Sequence, residues 1–124
     1  MKIKGKYVDG FLLVVPKKRL DEYKKMAEKG CRVWKKYGAL DYKECIANDL
    51  RPQWVTYYFD KAMKAKKDEV VIFSYIVYKS RKHRDEVNAK VMKDPIMNDP
   101  NDKGKSMPFD MKRMSYGGFE VLVD

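Results

Sequence analysis

The chain has 124 residues and 14.7 kDa, with 44% hydrophobic and 37% charged residues and a formal net charge of +10. That length supports one core and excludes a second, so a single domain over residues 1–124 is expected. No stretch approaches the roughly 20 apolar residues of a membrane span, and two cysteines exclude a disulfide framework. The basic start, MKIKGKYVDG, has no apolar run of the signal-peptide kind. The reading is a reduced, cytoplasmic protein with no membrane partner. Residues 1–37 carry 12 of the 28 Lys and Arg but only four of the 18 acids. Such a segment attracts phosphates non-specifically. A Lys-rich solvated helix face is the preferred account, and a nucleic-acid partner is not expected.

Tyr7–Val15 (YVDGFLLVV) reads as the first strand, closed by Pro16, which cannot donate to a ladder. Val8, Gly10, Leu12 and Val14 share one face. Tyr7, Asp9, Phe11, Leu13 and Val15 share the other, so an acid stands among large apolar groups. Leu20, Tyr23, Ala27, Gly30, Cys31, Trp34 and Tyr37 then recur at helical spacing. They predict a helix over Lys17–Tyr37 with Lys18, Lys25, Glu28, Lys29, Arg32 and Lys36 opposite, and Gly38 as its left-handed cap. Gly30 on the inner face costs about 1 kcal/mol relative to Ala, and close approach to the sheet would explain it.

Ala39–Ala47 reads as a second strand with Leu40, Tyr42, Glu44 and Ile46 on one face. Trp54–Phe59 (WVTYYF) is a short strand or an apolar flap, and Asp60–Asp68 a helical turn plus loop. Val70–Tyr78 (VVIFSYIVY) is nine uncharged residues, too short for a membrane and too β-rich for a helix. It predicts a strand covered on both faces. Ser80 is placed to cap a helix that ends before Pro95. Val87 and Val91 mark its inner face, which Arg84 and Asn88 share. Asp94–Pro108 is loop, and Phe119–Val123 (FEVLV) the last strand. The order β-α-β-β-α-β is the ferredoxin-like arrangement, both helices on one face of a four-stranded antiparallel sheet. Strands apolar on both faces then call for a cover on the second face, and a second copy of the same sheet, a homodimer, is the simplest.

Chemistry-bearing motifs are sparse. Gly104-Lys105-Ser106 lacks the first glycine and the preceding strand of a phosphate-binding loop. Asp99, Asn101 and Asp110 around Gly104 match a calcium loop only in part. His83 is the only histidine and reads as a surface residue, so no metal site is expected. Met92, Met97, Met107, Met111 and Met114 surround the long loop and suit adaptable packing against a neighbouring subunit. What remains is polar residues on inward faces: Asp9, Glu44, Arg84 and Asn88. A buried charge must be paired, so these form a structural network or line a pocket. Asp9 or Glu44 is the expected partner of Arg84, with Tyr75 and Tyr116 as nearby hydroxyls. These six are the candidate ligand-binding residues, and no catalytic residue is assigned.

YVDGF at Tyr7–Phe11, Glu44-Cys45, Arg84-Asp85 with Asn88, Lys90-Val91-Met92, Asp94-Pro95 and above all MPFDMKRMSYGGFEVLV at Met107–Val123 resemble the small bacterial YbaA-like family, domain-of-unknown-function family 1428. The resemblance runs nearly the whole chain. It implies a dimeric α+β barrel in which two ferredoxin-like sheets face one another, and it supplies no reaction. Ile96 stands where the family usually has Arg, and WVTYYF replaces a shorter segment. Three function classes are open: a small-ligand binder or enzyme of unknown reaction with a pocket between sheet and helices, a cofactor-independent monooxygenase-like enzyme by analogy with other such barrels, and a nucleic-acid-associated protein using the first helix. No cofactor is implied by any residue pattern.

Overall fold

The computed structural model describes residues 6–102 and 104–124; the basic residues 1–5, with the N-terminal reading that rests on them, and Lys103 lie outside the described residues. The chain runs β1 (Tyr7–Pro16), a short 3-10 turn, α1 (Leu20–Lys36), β2 (Asp41–Ile46), a one-turn α2 (Phe59–Ala62), β3 (Glu69–Tyr78), α3 (Arg81–Met92) and β4 (Ser115–Glu120). The four strands make one antiparallel sheet in the order β2-β3-β1-β4. This is the ferredoxin-like arrangement that the order of elements predicts, with α2 as an addition between β2 and β3.

Strand parity sorts the side chains. Tyr7, Asp9, Phe11, Leu13 and Val15 of β1 pair with Tyr78, Ile76, Ser74, Ile72 and Val70 of β3, and these lie on the helix-covered face. Its core has two parts. Val33 of α1 and Val87 and Val91 of α3 meet Tyr7, Ile76 and Tyr78, while Tyr23 and Ala27 of α1 meet Leu13, Val15 and Ile72. Val15, Val33, Val87 and Val91 are almost wholly inaccessible, and each such burial contributes about 1.5–3 kcal/mol. Both predicted helices form as their apolar spacing requires. α1 opens one 3-10 turn later than predicted and ends where Gly38 adopts a positive φ of 113°. At Gly30 a Cβ would lie 3.1 Å from the Tyr42 hydroxyl, the close approach that explains a glycine inside a helix. The Ser80 hydroxyl caps α3 by accepting from the His83 amide at 3.0 Å.

The opposite face presents Val8, Leu12, Phe73, Tyr75, Val77 and Phe119, with no helix of the described residues across it apart from the short α2 beside β3. Phe73 and Phe119 are 45% and 61% exposed.

Three local expectations are corrected. The last strand is Ser115–Glu120 rather than Phe119–Val123, and Leu122 and Val123 are exposed beyond it. Inside that strand Gly118 serves close packing, since a Cβ there would fall 2.2 Å from the Tyr7 hydroxyl. Trp54–Phe59 is neither strand nor covering flap. It turns into α2, and Trp54 and Tyr57 stand in solvent. Cys31 is half-buried and faces a cleft rather than the core.

Candidate functional site

The six candidate residues do not form one site. Asp9 sits near the start of β1 on the helix-covered face, 2% exposed. α3 starts at its Ser80 cap, which sets Arg84 one turn in, directly over that strand. The Arg84 Nη1 donates to Asp9 Oδ1 at 2.8 Å and to the Tyr116 hydroxyl at 3.0 Å, and its Nε donates to Asp85 at 2.7 Å. The guanidinium also lies over the Tyr7 ring, 5.0 Å from its centre, an arrangement that favours a cation. One turn on, Asn88 accepts from the Trp34 indole at 3.0 Å and from the Tyr78 hydroxyl at 3.3 Å. Burial, and after it the Asp9 charge, hold the Tyr78 and Tyr116 hydroxyls above the ordinary phenol range. Arg84 and Asn88 thus each have partners within the chain.

Tyr75 is not part of it. Opposite Gly10 in register, it belongs to the face that the helices leave uncovered. Its neighbours Ser74 and Ile76 point to the helices, and a hydroxyl at Tyr75 cannot reach them through the sheet.

Glu44 is also elsewhere. It lies on β2, the edge strand farthest from β4, under α1 rather than α3. Its Oε1 accepts from the Tyr23 hydroxyl of α1 at 2.7 Å and its Oε2 from the Tyr42 hydroxyl of β2 at 2.7 Å. A cleft of about 410 Å³ opens beside this carboxylate between α1 and the β2–β3 side of the sheet. Leu20, Ala27, Ile46 and Ile72 give it apolar walls, Cys31 adds a thiol, and Lys24, Glu28 and Lys43 also border it. Burial first, then the adjacent Glu44 charge, push both tyrosine pKa values far above the ordinary phenol range. Both therefore remain protonated donors at any physiological pH.

The other inward carboxylates are ion-paired. Asp9 has Arg84; Asp94, 1% exposed, has Lys36 at 3.1 Å as well as the Tyr37 hydroxyl at 2.6 Å; Glu69 has Arg113 at 2.6 Å. Among the described residues no cation lies within 4.0 Å of Glu44. Tyr23 and Tyr42 were the residues that sequence reasoning missed as site members, since an aromatic at core spacing looks like packing alone. Glu44 at i+2 from Tyr42 on one strand face was the available signal.

His83 has a structural place: its Nδ1 accepts from the Lys79 amide at 3.0 Å, and its ring meets Tyr78 edge-on. Among the described residues no three His, Cys, Asp or Glu side chains come together to hold a metal. No described helix is long and apolar enough to cross a membrane.

The comparisons agree with the fold and with the resemblance. A family model described as a protein of unknown function, DUF1428, matches residues 6–111. The uncharacterized protein YbaA of Escherichia coli K12 is 48% identical over 119 residues, covering 96% of this chain and 98% of that one. YbaA of Shigella flexneri matches to the same extent. Among solved structures, a dimeric ferredoxin-like protein from an uncultured marine organism aligns with a TM-score of 0.58 over 97% of this chain and 98% of its own, at 12% identity. That last likeness is one of fold.

Proposed function

The chain belongs to the DUF1428 family, and from that footing we propose that it is a single-domain, homodimeric α+β barrel protein binding a small molecule between α1 and the sheet of each protomer. The observation that carries the ligand reading is the cleft. Its volume, about 410 Å³, falls within the usual range for small-molecule sites. A carboxylate is held inside an apolar wall by two hydroxyls, which is the pattern of few polar groups fixing a mostly apolar ligand. Binding is favoured over monooxygenase-like catalysis because both tyrosine hydroxyls are committed to Glu44 and hold their protons firmly. The dimer reading is supported by the uncovered apolar face and by the dimeric description of the solved fold relative.

Native mass spectrometry of the purified protein tests both parts together. The expected spectrum has twice the chain mass, with a retained small molecule that is lost from a Cys31→Trp variant whose indole fills the cleft. A monomer would end the barrel reading. Retention unaffected by Cys31→Trp would place the ligand elsewhere.

A further inference from the structure

Within the binding reading just given, on which this step rests, the geometry identifies a ligand class. We infer that the cleft takes a molecule with an apolar body and a protonated amine, the ammonium lying against Glu44 between Tyr23 and Tyr42. The first ground is charge. Asp9, Asp94 and Glu69 are each compensated by a cation of this chain, whereas Glu44 is held by hydroxyls alone among the described residues. Hydroxyl dipoles orient a carboxylate but leave its net charge in place, and a partly desolvated charge favours an arriving cation.

The second ground is donor supply. The Tyr23 and Tyr42 hydroxyl protons are spent on Glu44, one on each oxygen. A carboxylate has about four lone-pair sites, so acceptor capacity remains while those two donors are used up. A ligand at this point must bring its own N–H or O–H. The third ground is shape: the Tyr23 and Tyr42 hydroxyls bracket the carboxylate, one on each oxygen. Beyond them Leu20, Ala27, Ile46 and Ile72 receive an apolar remainder.

An anionic ligand would have to use the bordering lysines. The Lys43 ammonium already pairs with Asp41 at 2.6 Å, and Lys24 is exposed and shares the border with Glu28. Neither is placed to outweigh Glu44 inside.

Isothermal titration near pH 7 with phenethylamine, phenethyl alcohol and phenylacetate, three probes of nearly one shape, separates the cases. The amine is expected to bind at least tenfold more tightly than the alcohol, and phenylacetate least. Glu44→Gln keeps an acceptor for a tyrosine while removing the charge, and should abolish the preference for the amine. Tyr23→Phe, which loosens the carboxylate, should weaken the amine severalfold. Cys31→Trp should block all binding. If the alcohol or phenylacetate bound as tightly as the amine, and Cys31→Trp still blocked it, the amine inference would fall while the ligand cleft stood. If no probe bound, or binding survived Cys31→Trp, the cleft reading would fall with it. The ranking of the three probes on the unaltered protein needs no variant to fold.

Discussion

The Asp9 and Glu44 regions put the same group, a carboxylate on the helix-covered face of one sheet, into two different states. At Asp9 the charge is matched by Arg84, which lies over the Tyr7 ring and also donates to the Tyr116 hydroxyl. At Glu44 the carboxylate is fixed by two hydroxyls, faces a cleft and has no cation among the described residues. An inward charge is therefore not a site in itself. A compensated one holds two elements together, as Asp9 and Arg84 join β1 to α3, and an uncompensated one beside empty space is disposed to receive something. Of the described polar residues on inward faces, only Glu44 meets the second description.

The sharpest way to break this contrast is to remove one side of each arrangement. Arg84→Ala leaves Asp9 buried and unpaired, and losing one member of a buried ion pair costs about 3–5 kcal/mol. Glu44→Gln leaves no buried charge and should cost about 1 kcal/mol, the scale of one neutral hydrogen bond. Urea denaturation of the two variants reads both values. Equal costs, or a larger one at Glu44, would overturn the assignment of the Arg84 cluster as structural and the Glu44 cluster as a receptive site.

A smaller loss is expected in acid from a third carboxylate, one that behaves like Asp9. Glu69 donates nothing when ionised and accepts from both Arg113 guanidinium nitrogens at 2.6 and 2.9 Å. Those bonds, opposed in part by burial, lower its pKa to about 2 from an ordinary 4.5. A carboxyl group with a depressed folded-state pKa contributes its stability above the unfolded value and surrenders it on acidification. The contribution should be complete above about pH 4.5 and decline as the pH falls towards 2. Denaturation midpoints of the native chain and of Glu69→Gln should converge over that window. Parallel curves from pH 6 to 2 would show that the pair contributes nothing.

Much of this arrangement was legible in the residues, and the failures have physical causes. The 3.6-residue spacing of Leu20, Tyr23, Ala27 and Trp34 allows one helix and one buried face, and α1 follows it. An acid at Asp9 between Tyr7 and Phe11 requires a cation, and Arg84 on the inner face of α3 is the nearest available kind. The choice between Asp9 and Glu44 as its partner depended on which helix covers which strand. Strand order β2-β3-β1-β4 settles that by putting β2 at the far edge, under α1. Tyr75 was expected as a hydroxyl near Arg84, but its pairing with Gly10 assigns it to the other face. The Gly117-Gly118 pair concealed the start of β4. Its reason is the Tyr7 phenol packed against Gly118 from the neighbouring strand, a contact that no local pattern records.

Removing the hydroxyls one at a time sharpens the comparison furthest, because it separates holding a carboxylate from compensating it. Tyr23→Phe and Tyr42→Phe each remove one hydroxyl from Glu44 and nothing from the packing of the ring. Each single change should cost about 0.5–1.5 kcal/mol, the net worth of one intramolecular hydrogen bond. The double variant should cost more than their sum, since the first loss leaves a carboxylate that the second hydroxyl still restrains, while the second leaves it with neither. Adding Glu44→Leu to the double variant removes the stranded acceptor, and should recover most of the lost stability because a hydrogen-bonded group replaced together with its partners by apolar groups is nearly neutral. Recovery in the triple variant would mean that the Tyr23–Glu44–Tyr42 cluster adds little to folding, and that its place in the chain is explained by what the cleft holds. A triple variant less stable than the double one would instead make Glu44 a structural residue on a par with Asp9.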